Sequence, residues 1–398
     1  MTKTKKEPFL RIVRRNDVSQ GKKFLFKLYC VLGAVVISLL FLWAAGGKNP
    51  FLAVRYIFEG TFYQNDDGVL DTSRIWSFLK EVVLLLAVSV ALTPAYKMKF
   101  WNIGAQGQIL VGALAYACFM TYLPPYLPNW ALILLGFVAA LLAGGLWAYL
   151  PAIFKARWNT NETLFTLMMN YVAILLVSLF VNLWRGKKSA LGIINGFNNE
   201  GWLFTIDYTV HGNRVQNAVL FPLILVFLLT VLMFLYLKFT KHGYEIQVVG
   251  DSVSTARYTG INVRHVIRRT LFLSGALCGF VGFLYVSNFS HTLSTTLDNG
   301  YGFTAIIVCW LSGFNPFVMI GYSALIVFLN KGALNLQDCG FSANLNSYSA
   351  QFVIFVIILS LMLGNFFAEY RILFRGSARK RSRLLTEGLA LPAAKEDK

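Results

Sequence analysis

Acidic residues are scarce in this chain: 18 Asp and Glu stand against 36 Lys and Arg in 398 residues, and charge of both signs reaches only 14%. Ordinary soluble proteins carry about 25% charge. With 57% hydrophobic residues, the helices lack the charged faces that buried helices of a soluble protein show to water. The pattern GxxxxGK[ST] is missing, so a Walker-type ATP site is absent from this chain. No metal-spaced cluster and no nucleophile–base pair occurs, which removes an integral-membrane enzyme. Of the five cysteines, Cys30, Cys118, Cys278 and Cys309 fall in apolar runs and Cys339 in a loop. None has disulfide or metal spacing, and they read as small packing residues. Glu81, Glu162 and the histidines His211, His242, His265 and His291 fall at or beyond span ends. The interior therefore lacks the ionisable relay a proton-coupled carrier uses.

What is present is a series of long apolar runs. A bilayer core needs about 20 mostly apolar residues per helix. Residues 28–47, 130–154, 163–184, 218–237, 270–289 and 350–368 meet that length. Residues 82–96 and 102–123 are shorter or interrupted. The run 300–331 is too long for one span and is broken at Gly313-Phe314-Asn315-Pro316, which predicts two helices. The expectation is an all-α membrane protein of about ten spans. Placing both termini in the cytoplasm puts the whole net charge of +18 on the inner side, which is the positive-inside pattern. The basic residues flank spans, so they indicate membrane lipid and not nucleic acid. The chain divides into a basic head (1–27), a polytopic domain (28–370) with a large inner loop at 238–269, and a basic tail (371–398) that meets anionic lipid. Spans two to five and seven to ten run in opposite senses, the topology of an inverted repeat with discontinuous helices.

Small residues recur at helical spacing, Gly136, Ala140 and Gly144 in one run and Gly275, Gly279 and Gly282 in another, as close helix packing requires. The stretch Asn102–Gln108 opens a span with polar residues. On a helix, Gly104, Gly107, Gln108, Val111, Gly112 and Ala115 share an arc of about 140°. Backbone and amides at membrane depth are received only by protein or a watery cavity. Two readings follow: the segment lines a solute path, or its amides tie helices together. The stretch Asn299–Thr304, with Gly300 and Gly302, opens a later span in a corresponding place. Polar groups available along a path are Asn102, Gln106, Gln108, Asn170, Asn182, Asn288, Thr304 and Ser312, with Tyr171, Tyr285, Phe303 and Trp310 as aromatic partners. Amides and rings suit a neutral solute with a flat ring and hydrogen-bonding edges.

In the inner loop, Asp251 is a good N-cap for a short helix over 252–259, and Gly260 suits its left-handed end. Ala256 allows close contact and Arg257 can pair with a partner's carboxylates. The alternative is a plain basic loop with a surface helix. Asn159 with Glu162 reads as a capping-box start for the span beginning at Thr163.

Several motifs carry a resemblance. Asn-Ile-Gly-Ala-Gln-Gly-Gln (102–108) is similar to the NIGAEGQ signature of inner-membrane permeases of ATP-binding-cassette importers, departing from it at Gln106. Asn161-Glu162-Thr163-Leu164 with Leu167–Tyr171 resembles "NE…TLMLNY". Ala256-Arg257-Tyr258-Thr259-Gly260-Ile261-Asn262-Val263 resembles "ARYAGINV". Ser274–Leu277 and Gly300–Phe303 resemble "SGALAG" and "GYGF". Together they cover roughly residues 50–370 in order and come closest to the nucleoside branch of a family that handles sugars, branched-chain amino acids and nucleosides. The resemblance implies no enzymatic activity and no cofactor on this chain. It implies a separate ATPase subunit using ATP with magnesium, a second related permease forming a heterodimer, and an extracytoplasmic solute-binding lipoprotein. It places the chain in a bacterial cytoplasmic membrane. It makes Asp251, Ser252, Ala256, Arg257, Tyr258 and Gly260 an ATPase-coupling helix, and it implies alternating access. Ribose is the nearest competing solute.

Overall fold

The computed structural model describes residues 10–14, Leu25, most positions from 29 to 43, and 50–64, 69–70, 72–188, 191–210, 213–338 and 348–374. In chain order the elements are β1 (Leu10–Arg14), helical residues between 25 and 43, α1 (Pro50–Phe62), β2 (Tyr63–Gln64), β3 (Val69–Leu70), α2 (Thr72–Lys97), α3 (Ala105–Tyr122), α4 (Asn129–Trp158) and α5 (Glu162–Trp184). There follow β4 (Ile206–Val210), β5 (Asn213–Asn217), α6 (Leu220–Phe239), α7 (Lys241–Asp251), α8 (Val253–Tyr258), α9 (Val263–Leu284), a π turn (Tyr285–Phe289), α10 (Tyr301–Leu311), α11 (Pro316–Asp338), α12 (Tyr348–Glu369) and β6 (Tyr370–Phe374). The described residues are overwhelmingly helical. The short antiparallel pairs β1–β6, β2–β3 and β4–β5 are additions to the all-α expectation.

Among the described residues six helices are long and apolar enough to cross a membrane: Ser73–Lys97, Asn129–Trp158, Glu162–Trp184, Leu220–Phe239, Val263–Phe289 and Pro316–Asn335. The chain is a multi-pass membrane protein. In the run 28–47 the described positions, which fall between 29 and 43, are helical. The run 300–331 is two helices, as its Gly-Phe-Asn-Pro break predicts. Gly313 takes φ +60. Phe314 N–H then donates to Cys309 at 3.1 Å and Gly313 N–H to Trp310 at 3.2 Å, the paired bonds of a Schellman stop.

The chain forms two units, Met1–Ile57 with Ala333–Lys398, and Phe58–Gly332. In the first, β1 and β6 pair in antiparallel register from Leu10↔Phe374 to Arg14↔Tyr370. Ser360 donates to the Cys30 carbonyl, and Asn335 donates to Tyr56 O at 2.8 Å.

The core of the second unit is α9, packed on α4, α3 and α2. Lipid offers no hydrophobic drive between helices, so close backbone approach does the work. A Cβ on Gly112 would lie 2.5 Å from Gly279 Cα, and one on Gly144 would lie 2.5 Å from the Gly275 carbonyl oxygen. A Cβ on Gly279 would strike the Ala140 carbonyl, and one on Gly282 the Ile109 carbonyl. The two glycine stripes therefore meet each other across α4 and α9, with α3 wedged beside them. Gly136 departs from this pattern and abuts the Tyr116 ring. The buried Ser274 hydroxyl donates to Ala91 O at 2.8 Å, joining α9 to α2.

Two capping expectations are corrected. Asn161, not Asn159, caps α5: its side chain accepts from Thr163 N–H at 3.1 Å and Leu164 N–H at 3.3 Å. Asn159 instead ends α4 in the left-handed conformation, φ +52. Glu162 pairs with Lys155 at 2.7 Å and so does not reach back as a capping-box acid. In the inner loop the cap is Ser252, whose hydroxyl accepts from Thr255 N–H at 3.3 Å. Asp251 is the last residue of α7, because 241–251 is already helical and the chain turns one residue later than expected.

Candidate functional site

The motif between α2 and α3 is an irregular turn held by side-chain amides. Lys99 takes φ +59, and Phe100 N–H bonds Ala95 O at 3.0 Å, closing α2. Asn102 and Gln108 then bond reciprocally: Asn102 Nδ2 donates to Gln108 Oε1 at 3.3 Å, and Gln108 Nε2 to Asn102 Oδ1 at 3.0 Å. The same Asn102 oxygen takes Gly104 N–H at 3.1 Å, and Tyr96 donates to Asn102 O at 2.9 Å. Asn170 of α5 does the rest. Its amide nitrogen donates to Ile103 O at 2.9 Å and its oxygen accepts from Gly107 N–H at 2.9 Å. Thr166 accepts from Ile103 N–H at 3.2 Å. Asn102, Gln108 and Asn170 are all buried. The turn at the start of α3 thus has its backbone groups satisfied by side chains, as irregular chain at membrane depth requires. A Cβ on Gly107 would come 2.9 Å from Asn170 Oδ1, which explains the glycine. Gly104 has contacts of 3.1–3.2 Å to Thr166, Asn102 and Gln108.

Gln106 points elsewhere. Its amide donates to Asp298 Oδ1 at 3.2 Å, and the other Asp298 oxygen accepts from Gly302 N–H at 3.3 Å. A Cβ on Gly302 would sit 3.0 Å from Gln106 N. The starts of α3 and α10 therefore meet at Asp298. Burial pushes this carboxyl above the usual carboxylate range, opposed by the Gly302 and Gly300 amides and by Gln106. The sequence reading missed Asp298, although an acid just before a helix start is a familiar signal. It also set Glu81 at a span end. In the fold Glu81 pairs with Lys331 at 2.7 Å, and Lys331 donates to Ser77 at 2.8 Å. An ionic cluster thus exists inside the unit, and its charges are paired.

The remaining path candidates lie apart. Phe303 and Trp310, seven residues apart on one face of α10, are half-exposed, and the Trp310 ring lies 5.4 Å from Trp101. Thr304 donates to Gly300 O at 3.2 Å. Asn288 is buried on the π turn, and neither amide atom has a partner.

At the inner loop, α8 is a short knob. Arg257 and Tyr258 are exposed, Tyr258 at 93%, while Ala256 is fully buried. Gly260 takes φ +79. Ile261 N–H bonds Ala256 O at 2.9 Å and Gly260 N–H bonds Arg257 O at 3.1 Å, another Schellman stop. Glu245 of α7 pairs with Arg269 of α9 at 2.9 Å, bracing the loop on both sides.

Residues 75–362 match the family described as branched-chain amino acid transport system / permease component. The chain belongs to that family. It is therefore a transport component and not an enzyme. The permease is 27% identical over 283 residues to the guanosine ABC transporter permease protein of Bacillus subtilis, covering 71% of this chain and 78% of the relative. It is 29% identical over 304 residues to the glucose ABC transporter permease protein of Haloferax volcanii, covering 74% and 77%. It is 24% identical over 343 residues to the nucleoside ABC transporter permease protein of Lactococcus lactis, covering 84% and 88%. No solved structure matches the permease.

Proposed function

We propose that the permease is the membrane subunit of an ATP-binding-cassette importer for nucleosides. The observation that carries this is the family match over 75–362, joined by relatives named for guanosine and nucleosides. The partner-free Asn288 amide and the half-exposed rings of Phe303 and Trp310 are of the kind that suits a neutral, flat, hydrogen-bonding solute. A sugar is the second reading, favoured by the relative named for glucose.

In this reading the permease binds no nucleotide, and a separate ATPase subunit uses ATP with magnesium. A second permease completes the pore, and an extracytoplasmic lipoprotein delivers the solute. The ATPase pushes on α8, where Arg257 and Tyr258 stand free of the body and Gly260 fixes the knob's end. Asp251 and Ser252 join it to α7, and Ala256 seats it. The two permeases then rock between outward and inward access. About ten spans fit if the helical residues between 25 and 43, α3, α10 and α12 join the six long helices. Eleven residues in α10 rise about 16 Å, half a bilayer core of about 30 Å, as a discontinuous helix does. The irregular starts of α3 and α10, meeting at Asp298, support the inverted repeat. The β1–β6 pair supports an even number of crossings, because it sets residues 10–14 beside 370–374. Both strands of the pair then lie on the cytoplasmic side.

The test is uptake by cells expressing the permease with its ATPase, second permease and binding lipoprotein, using labelled guanosine, ribose and glucose. Nucleoside accumulation that persists after the proton gradient is collapsed, and stops without the ATPase, is the expected result. Accumulation by the permease alone in liposomes contradicts it.

A further inference from the structure

The π turn at the end of α9 is firmly held, with the Ser287 hydroxyl donating to Phe283 O at 2.7 Å, yet it leaves the polar side chains of Tyr285 and Asn288 unused. Its backbone closes by Ser290 N–H to Tyr285 O at 2.8 Å. The Ser290 hydroxyl donates to the same oxygen at 2.8 Å. Lys80 donates to Phe289 O at 3.3 Å, and Leu203 N–H to Ser287 O at 2.9 Å. Against that rigid frame, Asn288 is 3% exposed with neither amide atom bonded, and Tyr285 is 3% exposed with a free hydroxyl. Buried polar groups in native proteins are almost always paired, and the exceptions ask for an explanation. Single π turns inside α-helices are frequent at functional sites.

The contrast with the other amides decides the matter. Asn102 and Gln108 bond each other across the start of α3, Asn170 ties α5 to that start, and Gln106 is bound to Asp298. Among the described residues Asn288 is the buried amide with both its donor and its acceptor free. The Tyr285 hydroxyl, on the same turn, is likewise buried without a partner.

We propose that the π turn Tyr285–Phe289 is the solute-recognition element of the permease, with the Asn288 amide reading the donor–acceptor edge of a purine-type base and the Tyr285 hydroxyl making a further hydrogen bond to the solute. An asparagine amide bonds such an edge at two points, whereas a sugar hydroxyl needs no fixed donor–acceptor pair. A site built to hydrogen-bond its substrate rejects solutes that leave its buried groups unpaired. The inference rests on the importer reading and adds the residues that choose the solute.

The experiment uses the complete transporter with Asn288→Leu and Tyr285→Phe, reading melting temperature in detergent and uptake of guanosine and ribose. Asn288→Leu and Tyr285→Phe keep or raise the melting temperature, since each removes a buried unpaired group. Asn288→Leu raises the half-saturating guanosine concentration about tenfold or more, the loss of at least one net hydrogen bond, and leaves any ribose uptake unchanged. Unchanged guanosine uptake in Asn288→Leu overturns the inference and leaves the importer reading intact. So does a fall in melting temperature that accounts for the lost uptake, since the amide is then structural. If the wild-type transporter moves neither solute with ATP, the importer reading fails and this inference with it.

Discussion

Asn102 and Gln108 hold each other through two hydrogen bonds, at 3.3 and 3.0 Å, across the turn that begins α3. Both are buried, and Asn102 also carries the Gly104 amide. The pair makes the signature segment a joint between helices: the polar residues are there to satisfy backbone that cannot be helical.

Asn102→Ala strips partners from Gln108 and from Gly104 N–H at once. Each buried group left unpaired costs about 1–3 kcal/mol. The expected result is a large drop in melting temperature in detergent and a low yield of inserted protein. A variant that keeps its melting temperature while losing uptake identifies Asn102 as a solute contact and defeats the joint.

Gly279→Ala drives a methyl into the Ala140 backbone carbonyl, and backbone cannot swing aside. Overpacking of this kind costs about 1–3 kcal/mol or more. The α4–α9 contact is expected to loosen, with aggregation on extraction. Gly321→Ala is the control, because nothing lies within 4 Å of its new Cβ; thermal scans of the two should diverge.

Arg257→Glu and Tyr258→Ala change exposed groups on α8. Both proteins are expected to insert and melt like wild type. In the full transporter they should uncouple ATP hydrolysis from uptake. Normal coupling in both removes α8 from the ATPase contact. Ala256→Leu should differ from them and destabilise, since Ala256 is fully buried.

Asp298 has its carboxyl raised by burial. A raised acid binds its proton more tightly folded than unfolded, so its contribution to stability is present at low pH and is lost as pH rises through the raised value. Asp298→Asn cannot titrate. The stability of wild type relative to this variant should therefore be greatest in acid and decline as pH rises from the ordinary carboxylate value through the raised one. Melting curves of both proteins across that window check it; a gap that widens in favour of wild type with pH reverses the assignment.

The sequence by itself determined what depends on near neighbours. Apolar run length gave the membrane class, the Gly313–Pro316 break gave two helices, and Gly260 gave the stop after Tyr258, because hydropathy, φ preference and helical spacing act within a few residues. The glycine spacing marked two packing stripes without saying that they pack on each other. Capping was legible only to within a residue or two: Ser252 and Asn161 won over Asp251 and Asn159 because the neighbouring helices α7 and α4 run further than their local signals show. Tertiary structure alone decided the polar partners. Asn170 lies 63 residues from Gly107, Asp298 lies 192 from Gln106, and Lys331 sits 254 from Ser77. Whether an amide ties helices or stands free depends on which distant backbone the chain brings beside it, and no local preference encodes that.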